Sequence, residues 1–272
     1  MFDAEQDTAI RLAYEAGGRA LSLAGQPLKV EGKGEGFGPV TEVDRELDRF
    51  FREGLRRQFP EDLVVSEESP VPATDPSARI WYIDPIDGTM ELISGNDEWS
   101  ILIGLAQFQR PVLGVVHRPV TGELYHATTR GGAFRRSEPG SVDVALQVNE
   151  IHDPETAVLI QSRSHPSPKV ARVAEKLGIQ KTYRLGSLGL KLAKIAEGQA
   201  DLYLNFSGKC HFWDLCAPEV ILREAGGDVR SLRSEPIPYG VEVTAIRMPF
   251  GGAANGLLEI VARASAGIEV DP

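Results

Sequence analysis

The sequence predicts an α+β first half joined to an α/β second half. Three observations carry this reading. Two amphipathic helical stretches open the chain, and short β-type runs separated by turn residues follow between Trp99 and Arg135. Beyond Asn149, apolar strand-like runs alternate with helical ones. The halves are therefore drawn as residues 1–149 and 150–272.

Asp7 to Ala24 places Ile10, Ala13, Gly17, Leu21 and Ala24 at helical spacing and closes on Gly25. Val30 to Val40 holds four glycines and one proline, which predicts a mobile loop. Its Lys33 is the cation expected to close over an anion; a plain linker is the alternative. Thr41 begins a second helix with Val43, Leu47, Phe50, Phe51 and Leu55 on its apolar face, and Asp44 completes an approximate capping box. Leu63 to Ser66 is a strand, and Glu67-Glu68 leaves its end. Ile80 to Ile83 is a short buried strand that Asp84-Pro85 is expected to end, since proline cannot extend a ladder. Trp99–Leu105, Val112–Val116, Leu124–Ala127 and Ala133–Arg135 predict an antiparallel meander, with Val142 to Val148 as one more strand.

In the second half, Thr156 to Gln161 and Ala200 to Phe206 predict strands, and Pro168 to Leu177 and Ser187 to Glu197 predict helices. Another helix is expected from Ala217 to Ala225, just after Trp213-Asp214 and stopped by Gly226-Gly227. No pattern is assigned after Gly227.

The 272 residues are 42% hydrophobic and 25% charged, the balance of a soluble globular protein. A net charge of −10 disfavours nucleic-acid polymers but leaves room for a small phosphorylated ligand held by local cations. Cys210 and Cys216 match no zinc or redox spacing, so both are expected reduced and buried, in a cytoplasmic protein. The first residues do not read as a signal peptide, and no apolar run reaches membrane-spanning length.

The chemistry concentrates after Ile83. Asp84 and Asp87 leave a strand end together, with the Ile86 carbonyl between them. An all-oxygen donor set suits a hard cation such as Mg²⁺ rather than zinc. The Gly88 and Thr89 amides follow, free to face an anion if a helix starts there. A metal beside an anion points to phosphate chemistry. Asp-Pro and Asp-Gly are also ordinary turn dipeptides, Asp44 and Asp214 suit helix caps, and Glu67-Glu68 suits a solvated loop.

Five pieces stand in order along the chain. They are Pro39-Val40-Thr41-Glu42-Val43-Asp44, Ser66-Glu67-Glu68, Trp81 through Thr89, Gly186-Ser187, and Trp213-Asp214 through Gly227. Together they resemble the inositol monophosphatase superfamily of Mg²⁺-dependent, lithium-sensitive phosphatases. The resemblance implies a layered αβαβα sugar-phosphatase-like fold, with the site between the halves. It implies that Glu67, Asp84, the Ile86 carbonyl, Asp87 and Asp214 hold two or three Mg²⁺ ions. Asp44 and Thr89 become the catalytic pair that polarises the attacking water, and the Gly88 and Thr89 amides take the phosphate.

Ser162-Arg163-Ser164-His165, Ser187 through Lys191, and Ala196 through Asp201 resemble most the 3′(2′),5′-bisphosphate nucleotidase branch. By that resemblance the substrate is adenosine 3′,5′-bisphosphate, and His165, Ser187 and Lys191 hold the nucleotide and its retained phosphate. A structural histidine and a solvated lysine are the alternatives. An inositol-1-monophosphatase, or a fructose-1,6-bisphosphatase-like enzyme, is the second expectation, weakened by Ser207 where inositol phosphatases usually carry a glutamate. Met90 and His211-Phe212 depart from the nucleotidase pattern. A non-catalytic phosphate-ligand sensor is the reading outside enzymes. The protein is expected to act as a monomer or homodimer.

Overall fold

In this computed structural model the described residues are 2–32, 39–69, 75, 77–151, 153–233, 235–237, 239–240 and 244–270. Lys33, expected to close over an anion, lies outside them. The chain opens with α1 (Asp3–Ala24), a small hairpin β1 (Val30–Gly32) and β2 (Pro39–Thr41), and α2 (Glu42–Gln58). Then come β3 (Leu63–Ser66), β4 (Ile80–Asp87), the single-turn α3 (Thr89–Ile93), β5 (Ser100–Gln107), β6 (Arg110–His117), β7 (Leu124–Thr128), β8 (Gly132–Arg136) and β9 (Val144–Ala145). The second half runs β10 (Val158–Ser162), α4 (Pro168–Lys176), β11 (Lys181–Leu185), α5 (Leu188–Ala196), β12 (Leu202–Asn205), β13 (Cys210–His211) and α6 (Phe212–Glu224). It ends with β14 (Asp228–Ser231), β15 (Ala245–Ile246), β16 (Phe250–Ala253) and α7 (Leu257–Ala264).

Five layers result. β3 to β9 form a seven-stranded sheet in sequence order, antiparallel except for the parallel β3–β4 pair. Its outer face buries Trp81, Ile83, Ile101 and Ile103 against Ala13, Leu47 and Phe51 of α1 and α2. Its inner face turns Tyr82, Leu102 and Val116 toward Leu190, Leu215 and Ile221 of α5 and α6. Beyond those helices lies a five-stranded sheet in the order β11-β10-β12-β16-β14, and α4 and α7 close its far side around Leu159, Val173, Leu204 and Val261. The layered α+β fold is thus the observed one.

The middle helix α6 lies unusually close to the large sheet. A Cβ on Gly104 would stand 2.6 Å from Cys216 Sγ, and one on Gly114 would stand 2.1 Å from the Ala217 carbonyl oxygen. Two glycines on adjacent strands therefore set the depth at which α6 sits. Val30–Gly32 and Pro39–Val40, expected within a mobile loop, pair in the β1–β2 hairpin. Two further expectations change. β4 does not stop at Asp84-Pro85 but continues to Asp87, because a bulge absorbs the missing proline N–H. The helix after Trp213 begins at Phe212 rather than Ala217, so Pro218 lies inside it. Lys181–Leu185, not assigned from the sequence, is an edge strand exposed at four of its five residues.

Candidate active site

The bulge in β4 is what brings two carboxylates together. In a regular strand, residues three apart point to opposite faces. Here Asp84 pairs with Leu102 and Asp87 with Ser100, so three steps along β4 match two along β5. Leu102 and Ser100 share a face, and the extra residue returns Asp84 and Asp87 to that face, toward the second half. Asp84 is buried and accepts the Ile86 amide at 3.0 Å. Glu67 follows β3 directly, and its amide bonds the Ile83 carbonyl at 3.2 Å, which places it beside the start of the bulge.

Asp44 does two jobs at once. Its Oδ2 accepts the Thr41 amide at 2.8 Å and the Thr41 hydroxyl at 2.5 Å, the reciprocal cap of α2. Its Oδ1 faces the Thr89 hydroxyl at 3.3 Å, and that hydroxyl is also 3.3 Å from the Ile86 carbonyl oxygen. Asp44 of α2, Ile86 of β4 and Thr89 of α3 are therefore brought together, Asp44 and Thr89 being 45 residues apart in sequence. Gly88 sits between them at φ +102°, a conformation open at little cost only to glycine. It starts α3, so the first amides of that turn have no carbonyl one turn back to bond.

Asp214 arrives from the second half on the first turn of α6, where its Oδ2 accepts the His211 amide at 2.7 Å. It sits inside the helix as the third residue, not before it. Loss of water around this carboxyl, then the charges of Glu67 and Asp87, push it up to about 8. Glu67, Asp87 and Asp214 thus share one field. Among the described residues, no three acidic, histidine or cysteine side chains converge tightly enough to enclose a single ion as they stand. The donor set nevertheless fits Mg²⁺: it is all oxygen, and the mutual repulsion felt at Asp214 is the condition a divalent cation relieves.

Ser187 and Lys191, expected on the substrate, are almost completely buried. The Ser187 hydroxyl donates to Asp87 Oδ2 at 2.6 Å, receives the Leu190 amide at 3.0 Å, and lies 2.8 Å from the Ser100 hydroxyl. It caps α5, and with the Gly189 amide, 2.7 Å from the same Asp87 oxygen, it clamps that carboxylate. The Lys191 ammonium donates to the carbonyls of Leu185 and Gly186, beneath the turn that leads to Ser187. Burial pulls it down to about 8, against the opposing charges of Asp87, Glu91 and Glu98. It is neither a solvated surface lysine nor a side chain that reaches the outside. His165 is exposed, and its amide bonds the Ser162 hydroxyl at 3.1 Å.

Asp48, which no sequence motif singles out, supports this site. Buried one turn after Asp44, it accepts the Ser69 hydroxyl at 2.8 Å and Arg52 at 3.1 Å, anchoring the turn that carries Glu67. The i, i+4 spacing from Asp44 was its only signal. A groove of about 790 Å³ between α1 and α2, lined by Glu15, Arg19, Glu42, Arg45, Glu46 and Arg49, holds none of these residues.

The inositol monophosphatase family matches residues 3–263. The chain belongs to that family. It is a phosphatase hydrolase of this metal-dependent superfamily. It is 33% identical over 238 residues to the 3′(2′),5′-bisphosphate nucleotidase CysQ of Escherichia coli O157:H7, covering 86% of this chain and 93% of that one. The Salmonella typhimurium protein of the same name is 36% identical over 204 residues, 74% and 79% of the two chains. Among solved structures, an IMPase of Thermotoga maritima superposes with a TM-score of 0.80 at 26% identity over 95% of each chain. The family match runs beyond the Pro39–Gly227 span of the sequence resemblance on both sides, from residue 3 to residue 263. No helix among the described residues is long and apolar enough to cross a membrane.

Proposed function

We propose that this phosphatase is a Mg²⁺-dependent 3′(2′),5′-bisphosphate nucleotidase that hydrolyses adenosine 3′,5′-bisphosphate to AMP and phosphate. One observation carries the reaction: the Thr89 hydroxyl stands between Asp44 Oδ1 and the Ile86 carbonyl, beside Asp84 and Asp87. Glu67, Asp84, the Ile86 carbonyl, Asp87 and Asp214 would hold the two or three ions. When bound, Mg²⁺ would supply Lewis-acid polarisation of the phosphoryl oxygens and charge neutralisation for the leaving alkoxide.

The chain's own groups do the rest. Thr89 donates its proton to Asp44 as it accepts one from the attacking water, so Asp44 is the terminal base. The water oxygen bonds to phosphorus as the opposite P–O bond to the ribose breaks, and the ribose oxygen takes a proton from solvent. The first amides of α3 orient the phosphoryl oxygens. Ser187 and the Gly189 amide keep Asp87 in one rotamer throughout.

Two facts favour the nucleotide over inositol phosphate. The relatives named CysQ are nucleotidases at 33% and 36% identity. Ser207, where an inositol phosphatase would carry a glutamate, closes a turn onto Asn205 through its amide and hydroxyl, both at 2.9 Å from Oδ1. It offers no carboxylate to ring hydroxyls. The test is phosphate release with Mg²⁺ from adenosine 3′,5′-bisphosphate, inositol 1-phosphate and fructose 1,6-bisphosphate. The nucleotide should give the highest kcat/KM, and chelation should abolish the rate. Preference for inositol 1-phosphate would make the chain an inositol phosphatase; binding without turnover would make it a sensor.

A further inference from the structure

Ser162 is the last residue of β10 and Arg163 to His165 after it are exposed; two acidic side chains of the first half hold this segment down. The Arg163 guanidinium meets the Glu98 carboxylate through two parallel bonds, Nε to Oε2 and Nη2 to Oε1, each 2.6 Å. The Ser164 hydroxyl donates to Glu91 Oε1. Glu91 lies on α3, two residues after Thr89, and is buried. Glu98 also reaches the other second-half turn, because its carbonyl accepts the Ser187 amide at 2.8 Å. The fit leaves no slack there. A Cβ on Gly186 would stand 2.5 Å from both Glu91 Cγ and the Glu98 carbonyl oxygen. Arg163 is further tied by its amide to the Leu185 carbonyl and by Nη2 to the Arg184 carbonyl, both at 3.1 Å.

We propose that Glu98, acting through Arg163, is a specificity-positioning residue: it fixes the Ser162–His165 segment beside α3, so that this segment meets the leaving group of the substrate and not the phosphoryl group. The identity of that leaving group as a nucleoside rests on the function proposed above. Glu98 touches none of Asp44, Thr89, Asp84 or Asp214 by hydrogen bond among the described residues. Its side chain instead grips the one exposed arginine of the segment that carries His165. A two-point guanidinium–carboxylate pair fixes orientation as well as distance, which a single contact or a lysine would not do. The pair is partly exposed, 48% at Arg163 and 14% at Glu98, so its loss should leave the fold intact while freeing the segment.

The experiment compares Glu98→Gln, Arg163→Gln and the double variant with wild type on two Mg²⁺-loaded reactions. Adenosine 3′,5′-bisphosphate reports on the leaving-group side, and p-nitrophenyl phosphate reports on the phosphoryl side. The expected result is a KM for the bisphosphate raised about fivefold or more, with kcat within about twofold and p-nitrophenyl phosphate turnover unchanged. The double variant should be no worse than either single one, because the two side chains act as one unit. Equal losses on both substrates, additive losses in the double variant, or an unchanged KM would each overturn the assignment. If wild type rejects the bisphosphate and prefers inositol 1-phosphate, the nucleotidase reading fails instead. The same comparison with inositol 1-phosphate against p-nitrophenyl phosphate then still decides the role of Glu98.

Discussion

At the scale of single residues, the side chains of this site divide their atoms between folding and chemistry. Asp44 gives one oxygen to the cap of α2 and the other to Thr89. Asp44→Asn keeps an acceptor for the cap but cannot take a proton, so kcat should fall by ~10²-fold or more while stability changes by at most about 1 kcal/mol. Rate and urea-denaturation measurements on the same sample check this, and a normal kcat would reduce Asp44 to a cap. His117 shows the purely structural case. Its Nδ1 stands 3.0 Å from the Glu123 carbonyl, which can only accept, so that nitrogen carries the proton. Burial holds the ring down to about 4 from an ordinary 6.5. The folded value is depressed for a base, so the unfolded chain binds the extra proton first as pH falls. Stability should therefore decrease from pH 6.5 to pH 4, by about 3 kcal/mol from this group. In His117→Gln that part of the pH slope should vanish; an unchanged slope between the two proteins would refute the assignment.

At the scale of elements, depth of packing decides whether Asp214 reaches the site. α6 carries Asp214 on its first turn, and Gly104 and Gly114 let its backbone approach the large sheet. Gly114→Ala places a methyl where the Ala217 carbonyl already lies, and backbone cannot step aside as a flexible side chain can. A loss of about 1–3 kcal/mol is expected, the usual result of overpacking, together with a higher Mg²⁺ requirement because Asp214 retreats with its helix. Urea denaturation and a Mg²⁺ titration of activity read the two effects separately. The same physics explains elements that sequence patterns did not reveal. β16 is the run Phe250-Gly251-Gly252-Ala253, poor in β-forming residues, yet it pairs on both edges inside the second sheet. A Cβ on Gly252 would stand 2.5 Å from Leu192 Cδ2, so a larger residue there would push the Leu192 side chain of α5 aside. β11 escaped notice for the opposite reason: at the sheet edge only Leu185 of its residues is buried, which leaves no alternation to read.

At the scale of the whole molecule, the site draws its carboxylates from both ends of the chain. Glu67, Asp84 and Asp87 precede residue 90, whereas Asp214 belongs to the helix between the two sheets. A cation bound by all four would bind the folded state and not the unfolded one. Mg²⁺ should then raise stability by mass action, by about 2.7 kcal/mol at a hundredfold excess over its Kd. Asp214→Asn should remove most of that increment while leaving the metal-free protein no less stable, since burial and the charges of Glu67 and Asp87 already disfavour the ionised carboxylate there. Thermal unfolding with and without Mg²⁺ tests it. Equal stabilisation of both proteins would mean that the ions bind without the second half.

What the sequence determined by itself is chemical and local. The strand leading into Asp84, the Thr41–Asp44 cap and the presence of a helix by Trp213-Asp214, though not where it starts, were legible, because each is written in residues within a few positions of one another. Which groups meet across the fold was decided only by tertiary structure. Pro85 read alone ends a strand; a bulge against Leu102 and Ser100 carries the strand past it and turns both aspartates to one face. Lys191 reads from the sequence as a cation for the substrate's second phosphate or a solvated lysine; packing of α5 between two sheets buries it and directs its ammonium to the Leu185 and Gly186 carbonyls. Ser187 likewise becomes a clamp on Asp87 across 100 residues of sequence. Local pattern reports what a side chain can do, but burial and long-range pairing choose its partner, and no short window of sequence contains both members of such a pair.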